Sequence, residues 1–206
     1  VDSDLNFQGS LLDFAETDQP FDAGFTGLER IELEDGAWVD RQPGWASRPD
    51  HLFVSLLESL EWRDGVERIR GAEVARPRQV ASFGSDGVPP ALDAVREMSE
   101  GLSRRYEVRL DRVTCNLYRD GRDSVAWHGD RIARELPAST VAILSLGEAR
   151  PFRLRPKGGG ASMGWSAGRG DLIVMGGSCQ RTYDHSVPKV ASAGPRIAVM
   201  FRHAYR

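Results

Sequence analysis

Long apolar runs are missing from this chain. No stretch approaches the roughly 18 consecutive apolar residues that a membrane-spanning helix needs. No secretory signal pattern is visible at the amino end, where the first residue is Val1 rather than Met. The expectation is a monomer of the cytoplasm with no membrane partner. Cysteine is scarce: Cys115 and Cys179 are the only two, far apart and without a C-x-x-C partner. That fits two buried thiols in a reducing compartment better than a disulfide scaffold, although one bridge between them would also satisfy the sequence. An excess of positive charge is missing too. Net charge is −3, so a nucleic-acid partner would have to be held by a local basic face rather than by bulk charge. Internal repeats are absent.

What is present suits one globular domain. The 206 residues are 40% apolar and 28% charged, enough for a single packed core. Residues 1–27 carry few structural signals and read as an arm, partly ordered by Phe7, Leu11, Leu12 and Phe14; residues 28–206 read as the domain. "LERIELEDGAWVDRQPGW" alternates around a D-G turn, a strand–turn–strand signal. "DHLFVSLLESLEW" repeats Leu52, Phe53, Leu56, Leu57 and Leu60 at helical spacing, with Asp50 as its expected N-cap. "PPALDAVREMSEGLSRRY" places Leu92, Val95, Met98 and Leu102 on one helical face. From residue 107 onward the segments are short, rich in Val, Ile, Leu and aromatics, and bounded by Gly or Pro. Strands at such spacing predict a closed or two-sheet β architecture.

Within that β region stands "WHGD". In a strand, residues two apart share a face, so His128 and Asp130 would reach one ion if the segment runs extended. Alone, H-x-D is a common polar turn. Of the four histidines, His51, His128, His185 and His203, His185 lies in the strand-like "QRTYDHSVPKV". Two imidazoles and one carboxylate with open positions suit non-heme Fe(II); zinc accepts the same donors. Asp184 is a weaker candidate, since neighbouring strand residues face opposite ways. The carboxyl end, "PRIAVMFRHAYR", sets Arg196 and Arg202 six apart on one strand face, with Ala198 and Met200 between them and Ile197 and Val199 opposite. Guanidiniums on a core-like face need anions, and a dicarboxylate is the natural partner. An edge strand with both arginines in solvent is the alternative.

These residues resemble the AlkB family of Fe(II)- and 2-oxoglutarate-dependent dioxygenases. The similarity runs from about residue 36 to the end, through "GAWVD", "PRQVASFG", "NLYRDGRDSVAWHGD", "LSLGEARPFRLRP", "GDLIVMGGSCQRTYDHSVPK" and the R-x5-R of "PRIAVMFRHAYR". The resemblance implies an α+β fold. Its core, residues about 107–206, would be a double-stranded β-helix, or jelly roll. N-terminal helices would pack on one sheet, and a nucleotide-recognition lid would span residues about 63–88. It implies that His128, Asp130 and His185 hold Fe(II). Arg196 would bind the far carboxylate of the cosubstrate 2-oxoglutarate, Arg202 the end near the metal, and Asn116 and Tyr118 the same molecule. O2 would be the oxidant, and the reaction an oxidative demethylation of alkylated bases in DNA or RNA, releasing formaldehyde, succinate and CO2. The alternative is an oxygenase of this fold acting on RNA, protein or a small molecule.

On the substrate side the lid carries Arg68, Arg70, Arg76 and Arg78, with Phe83 expected to stack near the base and Trp127 beside the H-x-D motif. Residues 149–170 hold Arg150, Arg153, Arg155, Lys157 and Arg169 without one acid, around a "KGGGAS" loop suited to a phosphate backbone. Arg181 matches an arginine often found four residues before the second histidine, where it would orient Asp130 or the pocket; a surface strand charge is the alternative. Two positions depart from the pattern: Ile132 stands where some members carry an acid that contacts the base, and Ala198 where some carry Asn.

Overall fold

The computed structural model describes residues 19–69, 72–83, 88–89, 92–130 and 136–203, with backbone only for 67–69, 72 and 73. The first half holds β1 (Glu29–Glu32), β2 (Ala37–Gln42), α1 (Pro49–Ser59), β3 (Arg63–Ile69), β4 (Ala72–Ser82) and α2 (Asp93–Tyr106). The second half is almost wholly strands: β5 (Arg112–Tyr118), β6 (Val125–His128), β7 (Val141–Gly147), β8 (Arg150–Pro156), β9 (Met163–Ala167), β10 (Asp171–Gly177), the short α3 (Cys179–Thr182), β11 (Tyr183–Val187) and β12 (Arg196–Arg202). Eight strands form one sheet in the order β1-β2-β10-β7-β12-β5-β4-β3, and four form a second in the order β6-β11-β8-β9. Among the described residues every strand pairing is antiparallel. Two facing antiparallel sheets are consistent with a jelly-roll core.

The large sheet has an apolar layer on each face. On one face Phe53 and Leu56 of α1 and Val95, Met98 and Leu102 of α2 pack with Leu117, Leu144, Val199 and Phe201. On the other, Val39, Ile143, Met175, Ala198 and Met200 meet Phe152 and Leu154 of the small sheet. Strand alternation sorts the residues: along β12, Ile197, Val199 and Phe201 go to the helix side while Arg196, Ala198 and Met200 go between the sheets. Each fully buried large side chain contributes about 1.5–3 kcal/mol of transfer free energy.

Two local expectations change, and one is given its place. Asp50 does not cap α1: Arg48 occupies the cap position and Pro49 begins the helix, its missing N–H costing nothing there, so Asp50 sits buried inside the first turn. Residues 19–27, read as the end of the arm, pack on the helix-side core. Phe21 and Phe25 are buried with Trp45 in the helix-side core, and Phe21 bridges to Ala46. "KGGGAS" is the turn of a β8–β9 hairpin, with Gly158, Gly159 and Gly160 all at positive φ. Both cysteines are free and buried; burial pushes the Cys179 thiol up to about 12.

Candidate active site

The register between strands brings the three distant side chains together. His185 of β11 lies directly opposite His128 of β6, and the two rings are 4.2 Å apart. Asp130 follows on the turn after β6, its Oδ1 3.8 Å from His128 Nε2. One donor atom from each of the three lies within 4.8 Å of the others, as a shared ion requires. The turn that presents Asp130 is locked by α3. Asp130 N–H donates to Gln180 Oε1 at 2.9 Å, and Lys157 Nζ donates to Gln180 O at 3.2 Å. Gly129 is needed here because a Cβ would come within 2.7 Å of that same carbonyl.

Electrostatics prepare these groups. Burial drives the His185 pKa down to about 3, with the neighbouring His128 adding to the effect, so the ring stays neutral with a lone pair available. Burial acts to raise the Asp130 carboxyl, but the charge and hydrogen bond of Arg202, helped by both histidines, outweigh it and hold it below the usual carboxylate range. Arg202 Nε donates to Asp130 Oδ2 at 2.8 Å and its Nη1 to Thr114 Oγ1 at 2.8 Å.

Arg196 stands differently. It is fully buried, with Nη2 on Ser145 Oγ at 2.7 Å and its guanidinium 5.0 Å above the Tyr118 ring. Among the described residues its Nε and Nη1 are buried without hydrogen-bond partners. A buried cation with unused donors costs several kcal/mol unless an anion meets it, which is what a keto-diacid supplies. Arg196, Arg202, Asn116, Tyr118 and the triad all line one cavity of about 460 Å³ between the sheets. The donor set fits a borderline metal ion and the free guanidinium fits a carboxylate, so the residues present suit both groups.

Comparison with known proteins agrees with that chemistry. Residues 47–202 match the 2OG-Fe(II) oxygenase superfamily. The chain is 36% identical over 204 residues to the alpha-ketoglutarate-dependent dioxygenase alkB homolog 3 of Bos taurus, covering 87% of this chain and 68% of that protein. It is 26% identical over 239 residues to the DNA oxidative demethylase ALKBH2 of Arabidopsis thaliana, covering 94% and 74%. This chain is a 2OG-Fe(II) oxygenase of the AlkB family. Among solved structures it resembles an oxidoreductase of the 2OG-Fe(II) oxygenase family from Burkholderia pseudomallei (TM-score 0.57, 15% identity, 80% and 84% of the two chains). It also resembles a Pseudomonas putida prolyl-4-hydroxylase (TM-score 0.53, 18% identity, 81% and 93%). At such identity these neighbours speak for the fold alone. As a member of the family, the protein is a dioxygenase using Fe(II), 2-oxoglutarate and O2.

The other anticipated residues of the oxygenase divide. Arg76 and Arg78, two apart on β4, line the cavity. Phe83 does not: parity along the strand turns it with Ala81 to the helix side, where it packs on the core. Trp127 and Arg155 are absent from the cavity wall and stack on each other, the guanidinium 4.2 Å from the ring; Arg153 is exposed on the same strand as Arg155. Arg181 is exposed on α3, not in a strand, and the guanidinium on Asp130 is that of Arg202. Arg150, grouped with the basic surface, is fully buried. It donates through Nη1 to Asp120 O (2.9 Å) and through Nη2 to Asp123 O (2.9 Å) and Pro188 O (2.8 Å). Arg68 and Arg70 side chains and Ile132 lie outside the described residues. Sequence reasoning missed Gln180, Thr114 and Ser145. Ser145 was findable as the single polar residue of the buried strand "VAILSLG", and Thr114 by sharing the face of Asn116. Gln180 had no signal.

Proposed function

We propose that this oxygenase removes alkyl groups, methyl above all, from bases of nucleic acid, with DNA as the first substrate. In this reading His128, Asp130 and His185 hold Fe(II), and Arg196 takes the far carboxylate of 2-oxoglutarate. Arg202, Asn116 and Tyr118 bound the rest of the cosubstrate. When bound, the iron and its cosubstrate supply the oxidation: 2-oxoglutarate and O2 become succinate and CO2, one oxygen atom enters the N-methyl C–H bond, and the resulting hydroxymethyl group leaves as formaldehyde. The chain does the positioning. Arg202 keeps Asp130 ionised and oriented; Gln180 fixes its backbone; the apolar Ile143, Phe152 and Met200 exclude water around the reacting centre.

The observation that carries the reading is the triad sharing one cavity with the unsatisfied Arg196 guanidinium. The relatives named for DNA demethylation support the substrate class. A base reaches such a cavity only by leaving its stack. The β3–β4 hairpin, which contributes Arg76 and Arg78, serves as the lid, and exposed Arg153 with the Arg155–Trp127 stack offers contacts to the backbone. Incubation with methylated single-stranded oligonucleotides tests this, reading formaldehyde and loss of mass in methyl steps. Demethylation is expected. Succinate formed without loss of methyl from any oligonucleotide would move the substrate to RNA, protein or a small molecule.

A further inference from the structure

Two buried carboxamides serve the site, and both rest on sulfur. Gln180 of α3 accepts the Asp130 N–H on Oε1 at 2.9 Å and donates from Nε2 to Met175 Sδ at 3.5 Å. Asn116 of β5 lines the cavity and donates from Nδ2 to Met200 Sδ at 3.5 Å. Met200 also accepts from Arg202 Nη2, at 3.4 Å. Both methionines are buried in the apolar layer between the two sheets. Register places the second pair: Met200 stands opposite Thr114, so Asn116 is its diagonal neighbour on the same face, within reach of a long side chain. The first pair is local. β10 ends at Gly177 and the chain turns into α3, which returns the Gln180 amide onto Met175, five residues earlier.

The two ends of a carboxamide are alike in shape and opposite in character: the oxygen accepts and the nitrogen donates. A thioether sulfur carries lone pairs and no proton, so it can take only the nitrogen end. We infer that Met175 and Met200 are positioning residues of the oxygenase, whose sulfurs set the direction in which the Gln180 and Asn116 amides face. The inference rests on the reading of Asp130 as an iron ligand and Asn116 as a cosubstrate contact, and it names what holds each. With the Gln180 nitrogen on Met175, the oxygen is left for the Asp130 N–H, and the turn that presents the carboxylate is pinned. A leucine at 175 would strand a buried donor. The amide could relieve that only by turning to another acceptor, which takes Oε1 away from Asp130. At Asn116 the nitrogen has two hydrogens. Sulfur, a weak acceptor, engages one and leaves the other for a cosubstrate oxygen.

The test uses the full chain and replaces sulfur with little change of volume, a swap that cores usually tolerate. Met175→Leu should weaken Co(II) binding about fivefold or more, the low end of what a buried donor without its acceptor costs. Its KM for 2-oxoglutarate at saturating Fe(II) should stay near wild type. Met200→Leu should raise that KM about fivefold or more on the same grounds, with kcat changed less. Each loss should vanish where the amide is already gone: Met175→Leu adds nothing to Gln180→Ala, and Met200→Leu adds nothing to Asn116→Ala. Should a leucine variant fail to fold, norleucine incorporated for methionine keeps the side chain's length, removes only the sulfur and should reproduce both losses. Wild-type Co(II) affinity in Met175→Leu would overturn the role of Met175, and wild-type KM in Met200→Leu that of Met200. Losses that simply add to those of the amide variants would make the methionines packing residues and overturn both. Failure of the underlying reading shows separately, as Co(II) affinity unchanged in His185→Ala or KM unchanged in Asn116→Ala.

Discussion

The two faces of β12 do opposite jobs. On the helix side Ile197, Val199 and Phe201 are fully buried among leucines and aromatics. On the cavity side the same strand sets Arg196 fully buried with two unused donors and Arg202 clasping a carboxylate. The first face is a packing problem solved by shape. The second is left unsatisfied by the protein alone and is complete only with a ligand. A single seven-residue strand thus separates stability from chemistry by the alternation of its side chains.

The sharpest way to break that contrast is at the triad. His185→Ala should abolish succinate formation and remove the weak visible band expected when Fe(II) and 2-oxoglutarate are mixed anaerobically with the wild type; retained turnover would dismiss His185 as a ligand. On the opposite face, Phe201→Ala should cost about 3–5 kcal/mol in urea unfolding, yet leave the 2-oxoglutarate KM of the folded fraction near wild type. Arg196→Met asks the reverse question. Its KM for 2-oxoglutarate should rise tenfold or more, about 1.4 kcal/mol or above, while stability holds or improves because an unpaired buried charge has gone. A large loss of stability would mean Arg196 is structural. Gln180→Ala should weaken metal binding about 10–100-fold by freeing the Asp130 backbone, read by titration with Co(II).

The smallest effect is in pH. The folded pKa of His185 lies near 3, below the usual value of 6.5. Between those limits the unfolded chain binds a proton that the folded one does not, so stability falls as pH drops. The melting temperature of metal-free protein should therefore decline from about pH 6.5 toward 3, and less steeply in His185→Gln. Equal slopes would place the pH sensitivity elsewhere.

How much of this was legible depended on whether a residue's environment was written in its neighbours. The strands "VAILSLG", "GDLIVMGG" and "RIAVMFR" announced themselves by β-branched apolar runs, and the parity of β12 followed from Arg196 and Arg202 alone. The polar strands β3, β4 and β9 did not, because they are edge-lying or half-exposed and lack an apolar stripe. The error at Phe83 came from the same source: without β4 as a strand, its parity could not be counted. Arg150 misled because a fully buried arginine bonding only carbonyls has no signature distinguishing it from a surface one.

That arginine carries a consequence of its own. Its guanidinium ties the carbonyls of Asp120 and Asp123, on the connection leading into β6, to that of Pro188, just past β11. The approach to His128 and the departure from His185 are thereby knotted at one point. Warming the protein should then release the two imidazoles in a single step, so that iron is lost all at once and not through a loosened, partly liganded form.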